Sequence, residues 1–138
     1  MGRILAIDYG KKRTGLAVSD PLQMIAGGLA TVESRETIDY LRNYTAREEV
    51  ELFILGEPRR MNYEPSENML RVVQFQQQLH QAIPSIPIQL VDERFTSVLA
   101  HRAMLEGGLK KSQRQDKTRV DKLSATILLQ TYLETIRK

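Results

Sequence analysis

Residues Arg3–Tyr9 read R-I-L-A-I-D-Y and decide the fold. Leu5 and Ile7 fall on one alternating face and Ile4 and Ala6 on the other, so the run is apolar on both sides, the mark of a strand covered from above and below. Asp8 continues the Ile4–Ala6 face of this most hydrophobic strand. Desolvating an unpaired carboxylate there costs several kcal/mol, so Asp8 needs a cation.

Working outward, Gly10-Lys11-Lys12-Arg13-Thr14-Gly15 places two glycines around a polar turn. Leu16–Ser19 then returns as the second strand of a hairpin, which Asp20-Pro21 ends. After a break at Gly27-Gly28, Leu29–Val32 reads as a third strand, and Ser34 as the N-cap of a helix carrying Ile38, Leu41 and Tyr44. Leu52–Gly56 is a buried strand, and the loop 57–65 leads to a helix with Val72, Phe75, Leu79 and Ala82 on one face, closed by Pro84. Ile86–Val91 forms a fifth strand ending in Asp92-Glu93-Arg94. Thr96 caps a helix through Leu105, and Gly107-Gly108 stops it. A basic loop follows, then a last helix from about Arg119 to Ile136, apolar over most of its circumference. The order βββαβαβαα, with βαβ crossovers, predicts an α/β fold: a mixed five-stranded sheet with helices on both faces.

The chain has 138 residues, 41% hydrophobic and 27% charged, which suits one domain over residues 1–138. It has no cysteine, which excludes disulfides, thiolate metal sites and cysteine nucleophiles. No stretch approaches the roughly 18 apolar residues of a membrane span, and Met1-Gly2-Arg3 leads straight into a strand, so a cytoplasmic protein with no membrane partner is expected. The net charge is only +3, but the segment 107–122 holds six cations against two acids, a net +4, so the remainder of the chain is slightly acidic. Such a local patch suits a polyanion. Lys110, Lys111 and Arg114 sit in that basic loop, which is expected to order on a phosphate backbone.

Asp8, the Asp92-Glu93 pair and Asp121 are strand-end and helix-start acids from distant parts of the sequence. Asp92 and Glu93 are consecutive and point to opposite faces, so only one shares a site with Asp8. Asp121 stands at the start of the last helix, with Ala125, Leu128 and Tyr132 continuing its face. Together the acids supply the hard oxygen donors that Mg²⁺ or Mn²⁺ prefers, and two metals about 4 Å apart assist phosphodiester hydrolysis. Each acid also has a structural explanation: Asp8 paired with Lys12 or Arg13, Asp92 with Arg94, Asp121 complementing a helix N-terminus. The glycines, Lys12 and Arg13 of the first turn suit a phosphate, and Thr96 and Ser97 either touch one or cap a helix. His80 and His101 have no partner at ligand spacing and read as surface or structural residues.

The stretches AIDYGKKRTGLAVSD (6–20), LGEP (55–58), VDERFTS (91–97) and VDKLSATILLQTYL (120–133) resemble the YqgF (RuvX-like) family over nearly the whole chain. The resemblance implies a ribonuclease H-like fold and nuclease activity, since family members are described as Holliday junction resolvases and as pre-16S rRNA nucleases. Carried over by motif, it implies Asp8, Glu93 (or Asp92) and Asp121 as the metal-binding catalytic acids, with Arg94, Lys12 and Arg13 at the family's basic positions. The chain departs from the family after Gly56, where Glu57-Pro58-Arg59-Arg60 replaces a glycine-containing loop; Glu57 is an alternative ligand there. Four functions compete. They are a nuclease acting on structured RNA, a resolvase acting on branched DNA as a homodimer rather than a monomer, an actin-like kinase, and a nucleic-acid-binding module without activity. Length opposes the kinase, which clamps nucleotide between two such domains.

Overall fold

A computed structural model describes residues 2–57, 67–92 and 117–136. Five strands form one sheet: β1 (Arg3–Tyr9), β2 (Arg13–Ser19), β3 (Ala26–Glu33), β4 (Val50–Glu57) and β5 (Ile88–Asp92). Their order is β3-β2-β1-β4-β5. The β1–β2 and β2–β3 pairs are antiparallel, and β1–β4 and β4–β5 are parallel. A 3₁₀ turn (Ser34–Glu36) leads into α1 (Thr37–Arg47); α2 (Glu67–Ala82) and α3 (Lys117–Ile136) complete the described elements. The mixed five-stranded sheet with helices on both faces is the architecture read from the sequence.

The period-two pattern of β1 sorts its side chains into two cores. Leu5 and Ile7 join Leu16, Phe53 and Leu55 beneath Leu41 of α1 and Val72, Phe75 and Leu79 of α2. Ile4 and Ala6 join Ala17 and Ile54 beneath Ala125, Leu128, Leu129 and Leu133 of α3. Residues Ile4 to Ile7 are at most 2% exposed, and β1, like β2 and β4, contributes to both cores. Leu129 is fully buried in the second core, so Leu129→Ala is expected to cost about 2–5 kcal/mol, the lost transfer energy plus the cavity. Urea unfolding checks this: the midpoint should fall with an unchanged slope. An unmoved midpoint would remove α3 from the folding unit.

The structure differs from the sequence reading at several points: β5 runs Ile88–Asp92 rather than Ile86–Val91, and Glu57 ends β4 rather than opening the loop. Gly27 and Gly28 do not break the chain; they belong to β3, which starts at Ala26. The register runs Leu16↔Ala30 and then Ala17↔Gly28, so Leu29 is the extra residue of a bulge. Gly28 serves close approach, because a Cβ there would lie 2.9 Å from Lys122 Cγ of α3. Ser34 makes no helix cap and is used elsewhere, as described below. The last helix begins at Lys117 rather than near Arg119, since nothing in Lys117-Thr118-Arg119 breaks a helix. The end of the expected basic loop is therefore helical, and Asp121 is the fifth residue of α3. The expected helix from Thr96 to Leu105 and the loop residues 107–116 lie outside the described residues.

At the far end of the hairpin, the Asp20 carboxylate accepts hydrogen bonds from the backbone N–H groups of Met24 and Ile25, both at 2.8 Å. Its bonds to Ile25 and Met24 hold Asp20 below the usual carboxylate range. The folded value is the depressed one, so this contribution is complete at neutral pH and disappears as pH falls through the lowered value.

Candidate active site

Asp8 stands near the end of β1, one residue past Ile7, which pairs with Leu55 of β4. Alternation puts it on the side of Ile4 and Ala6, the face covered by α3. Its cross-strand partner is Gly15, which in turn pairs with Thr31. Gly15 is buried, and Asp8 is half-buried. Neighbouring groups engage Asp8, Arg13 and Thr31. On the other face the next residue, Tyr9, stacks on Phe75 of α2 with ring centroids 4.2 Å apart, which ties down the strand end that carries Asp8.

The parallel strands beside β1 also end in acids. The last residues of β4 and β5, Glu57 and Asp92, pair with one another, so the backbone brings Asp8, Glu57 and Asp92 to one edge of the sheet. Asp121 precedes Ala125 by one helical turn, and Ala125 packs in the same core as Ala6. The stripe Ile4–Ala6 and the stripe Leu129–Ala125 each continue to one of the expected acids. Glu93, Arg94, Thr96, Lys110, Lys111 and Arg114 lie outside the described residues, as does His101. Among the described residues no three of His, Cys, Asp and Glu gather closely enough to hold a metal. His80 is exposed on α2, as expected of a surface residue.

The turn Gly10–Lys12 that follows β1 is built from its backbone outward. A Cβ on Gly10 would sit 2.5 Å from the Arg13 carbonyl oxygen, so only glycine fits. Ser34, the first residue of the 3₁₀ turn after β3, donates its hydroxyl to the Gly10 carbonyl at 2.5 Å and its backbone N–H to the Lys12 carbonyl at 2.9 Å. The Ser34 hydroxyl also lies 2.9 Å from that of Thr14, which is fully buried. Lys11, Lys12, Arg13, Glu33 and Arg35 line a 540 Å³ cleft at this corner. The expected Lys12 and Arg13 are thus joined by Lys11 and Arg35. Arg35 escaped the sequence reading because it sits between a strand and a helix, where no periodicity marks it.

The family model described as "RuvX: Holliday junction resolvase" matches residues 2–135. A protein of Azobacteroides pseudotrichonymphae genomovar. CFP2 named "Putative pre-16S rRNA nuclease" is 64% identical over 138 residues, all of both chains. A protein of the same name from Parabacteroides distasonis is 62% identical over 135 residues, covering 98% of this chain and 96% of that relative. Among solved structures, T. thermophilus RuvC in complex with Holliday junction substrate matches with a TM-score of 0.56 at 16% identity, over 98% of this chain and 96% of that one. That likeness shows a shared ribonuclease H-like fold. With a family match over almost every residue and relatives more than three-fifths identical along the whole chain, the protein belongs to the RuvX family.

Proposed function

We propose that this chain is a divalent-metal-dependent nuclease that processes pre-16S rRNA in ribosome biogenesis, acting in the cytoplasm as one ribonuclease H-like domain over residues 1–138. The observation that carries the reading is Asp8, an acid directly after the buried run Ile4 to Ile7 of β1 and two residues before a basic turn held by Ser34. The names of the relatives supply the substrate.

Asp8, Glu93 and Asp121 are the residues that would hold Mg²⁺ or Mn²⁺. The donor set fits such ions, being all carboxylate oxygen, and Asp8 lies on the face of the sheet that α3 covers, one turn of α3 beyond Ala125 being Asp121. When bound, the metals would supply a Lewis acid and an activated water for attack on the phosphodiester. The chain's own part is to position the strand: Lys12, Arg13, Arg94, Thr96, Lys110, Lys111 and Arg114 bind its phosphates and carry no sequence information. Replacing Lys110, Lys111 and Arg114 by Ala is expected to weaken binding to all sequences alike and to reduce the salt slope by up to about three contacts. A salt titration checks this; an unchanged affinity and slope move the binding surface toward Lys12, Arg13, Arg59 and Arg60.

The description of the family model favours a second reading, a resolvase that cuts branched DNA as a homodimer presenting two sites. The test is cleavage of pre-16S rRNA and of a four-way DNA junction side by side, with Mg²⁺ or Mn²⁺ and with chelator. The proposal expects metal-dependent cleavage of the RNA. Junction cleavage alone would select the resolvase, and binding without cleavage in any metal would leave a nucleic-acid-binding module.

A further inference from the structure

We infer that the cleft between the Gly10–Lys12 turn and the Glu33-Ser34-Arg35 corner is a second phosphate site, gripping the strand beside the scissile bond, in which Glu33 occupies Arg35 until a phosphate displaces it. The inference rests on the nucleic-acid reading of Asp8 and deepens it.

Charge is the first support. Among the described residues, Lys11, Lys12, Arg13 and Arg35 line the 540 Å³ cleft with one carboxylate, Glu33, a surplus of cations that suits an anion. Position is the second. Asp8 pairs with Gly15, and Arg13 lies two residues earlier on β2, about 7 Å along the strand. Arg13 and Glu33 are themselves cross-strand partners, so two residues that line the cleft lie two positions along β2 and β3 from Gly15 and Thr31, the row that continues from Asp8.

Rigidity is the third. A solvated hairpin tip must be ordered when it binds, whereas this one is already held by the Ser34 hydroxyl on Gly10, the Ser34 N–H on Lys12 and the buried Thr14–Ser34 hydroxyl pair. Such preorganisation saves the ordering cost that association otherwise carries. The same Ser34 fixes the corner from which Glu33 and Arg35 project.

The Glu33–Arg35 pair explains how the site is kept when empty. Arg35 Nε lies 2.8 Å from Glu33 Oε2, with the two side chains 82% and 56% exposed. A pair so exposed adds little to stability and is readily exchanged. A phosphate offers the same guanidinium a bidentate partner of equal or greater charge.

The test is fluorescence anisotropy of a labelled single-stranded RNA across a KCl titration, in chelator so that cleavage does not intervene. Wild type is compared with Arg35→Ala, Arg35→Lys and Glu33→Gln, all at exposed positions. Loss of one contact to a single strand lowers the salt slope by about 0.7, so Arg35→Ala is expected to bind about fivefold more weakly at 0.1 M salt. Arg35→Lys should restore the slope, since the charge is kept. Glu33→Gln should bind more tightly than wild type, because the internal competitor is gone. An Arg35→Ala protein with wild-type slope and affinity overturns the site, and a Glu33→Gln protein that binds more weakly overturns the displacement. Failure of the parent reading looks different: wild type itself would not bind the RNA, and both readings would fall together.

Discussion

Asp8→Asn is expected to fold with the wild-type denaturation midpoint, to bind RNA at least as tightly as wild type, and to cut it at least about a thousandfold more slowly, ~4 kcal/mol of transition-state stabilisation. Asn has nearly the size and shape of Asp, and the residue is half-buried opposite a glycine, so the two cores on either side of β1 are left intact. What changes is charge. One fewer carboxylate weakens a metal held by acidic oxygens and lessens the repulsion that the acid exerts on an incoming phosphate, so cleavage and binding should move in opposite directions. A destabilised protein would lose both together. The measurement is single-turnover cleavage in a preparation free of other nucleases, paired with binding in chelator. Residual cleavage near the wild-type rate would make Asp8 a structural residue.

The reading of β1 from sequence succeeds for a physical reason: a strand covered on both faces carries apolar residues at both parities, and few other elements look like that. Leu41 and Tyr44 of α1, and Val72, Phe75 and Leu79 of α2, are legible for the same kind of reason, because a helix face packed on a sheet repeats every three or four residues. Gly27-Gly28 misleads because glycine has two uses, ending a strand or admitting a neighbour. Only the approach of Lys122, from the other end of the chain, decides between them. Ser34 misleads similarly. A serine before a helix suits a cap, yet its hydroxyl goes to Gly10, 24 residues away, through pairing that no local pattern announces. Asp8 stood out through the cost of its surroundings, whereas Glu93 and Asp121 were nominated by the family resemblance as much as by their spacing. Arg35 had no signal at all until the β2–β3 register set Arg13 opposite Glu33.

Glu93→Gln is expected to impair cleavage as severely as Asp8→Asn, while Asp92→Asn and Glu57→Gln stay within roughly tenfold of wild type, ~1.4 kcal/mol of barrier. The ground for choosing among the three is parity. Asp8 follows Ile4 and Ala6, whose side chains pack in the core under α3, so a carboxylate that shares its metal must come from that face. In β4, Phe53 and Leu55 pack on the opposite side, under α1 and α2, and position 57 has their parity. In β5, Leu90 packs under α1 and α2 while Val91 packs against the α3 core. Position 92 has the parity of Leu90, and position 93 that of Val91. Of the three acids, only position 93 has in sequence the parity of the residues under α3, and Glu93 is chosen on that ground. Ligands of one metal act as a unit, so adding Glu93→Gln to Asp8→Asn should cost little beyond either change alone. If Asp92→Asn or Glu57→Gln abolishes cleavage and Glu93→Gln does not, the alternation is broken at the end of the strand, and the second metal-binding acid belongs to that residue instead.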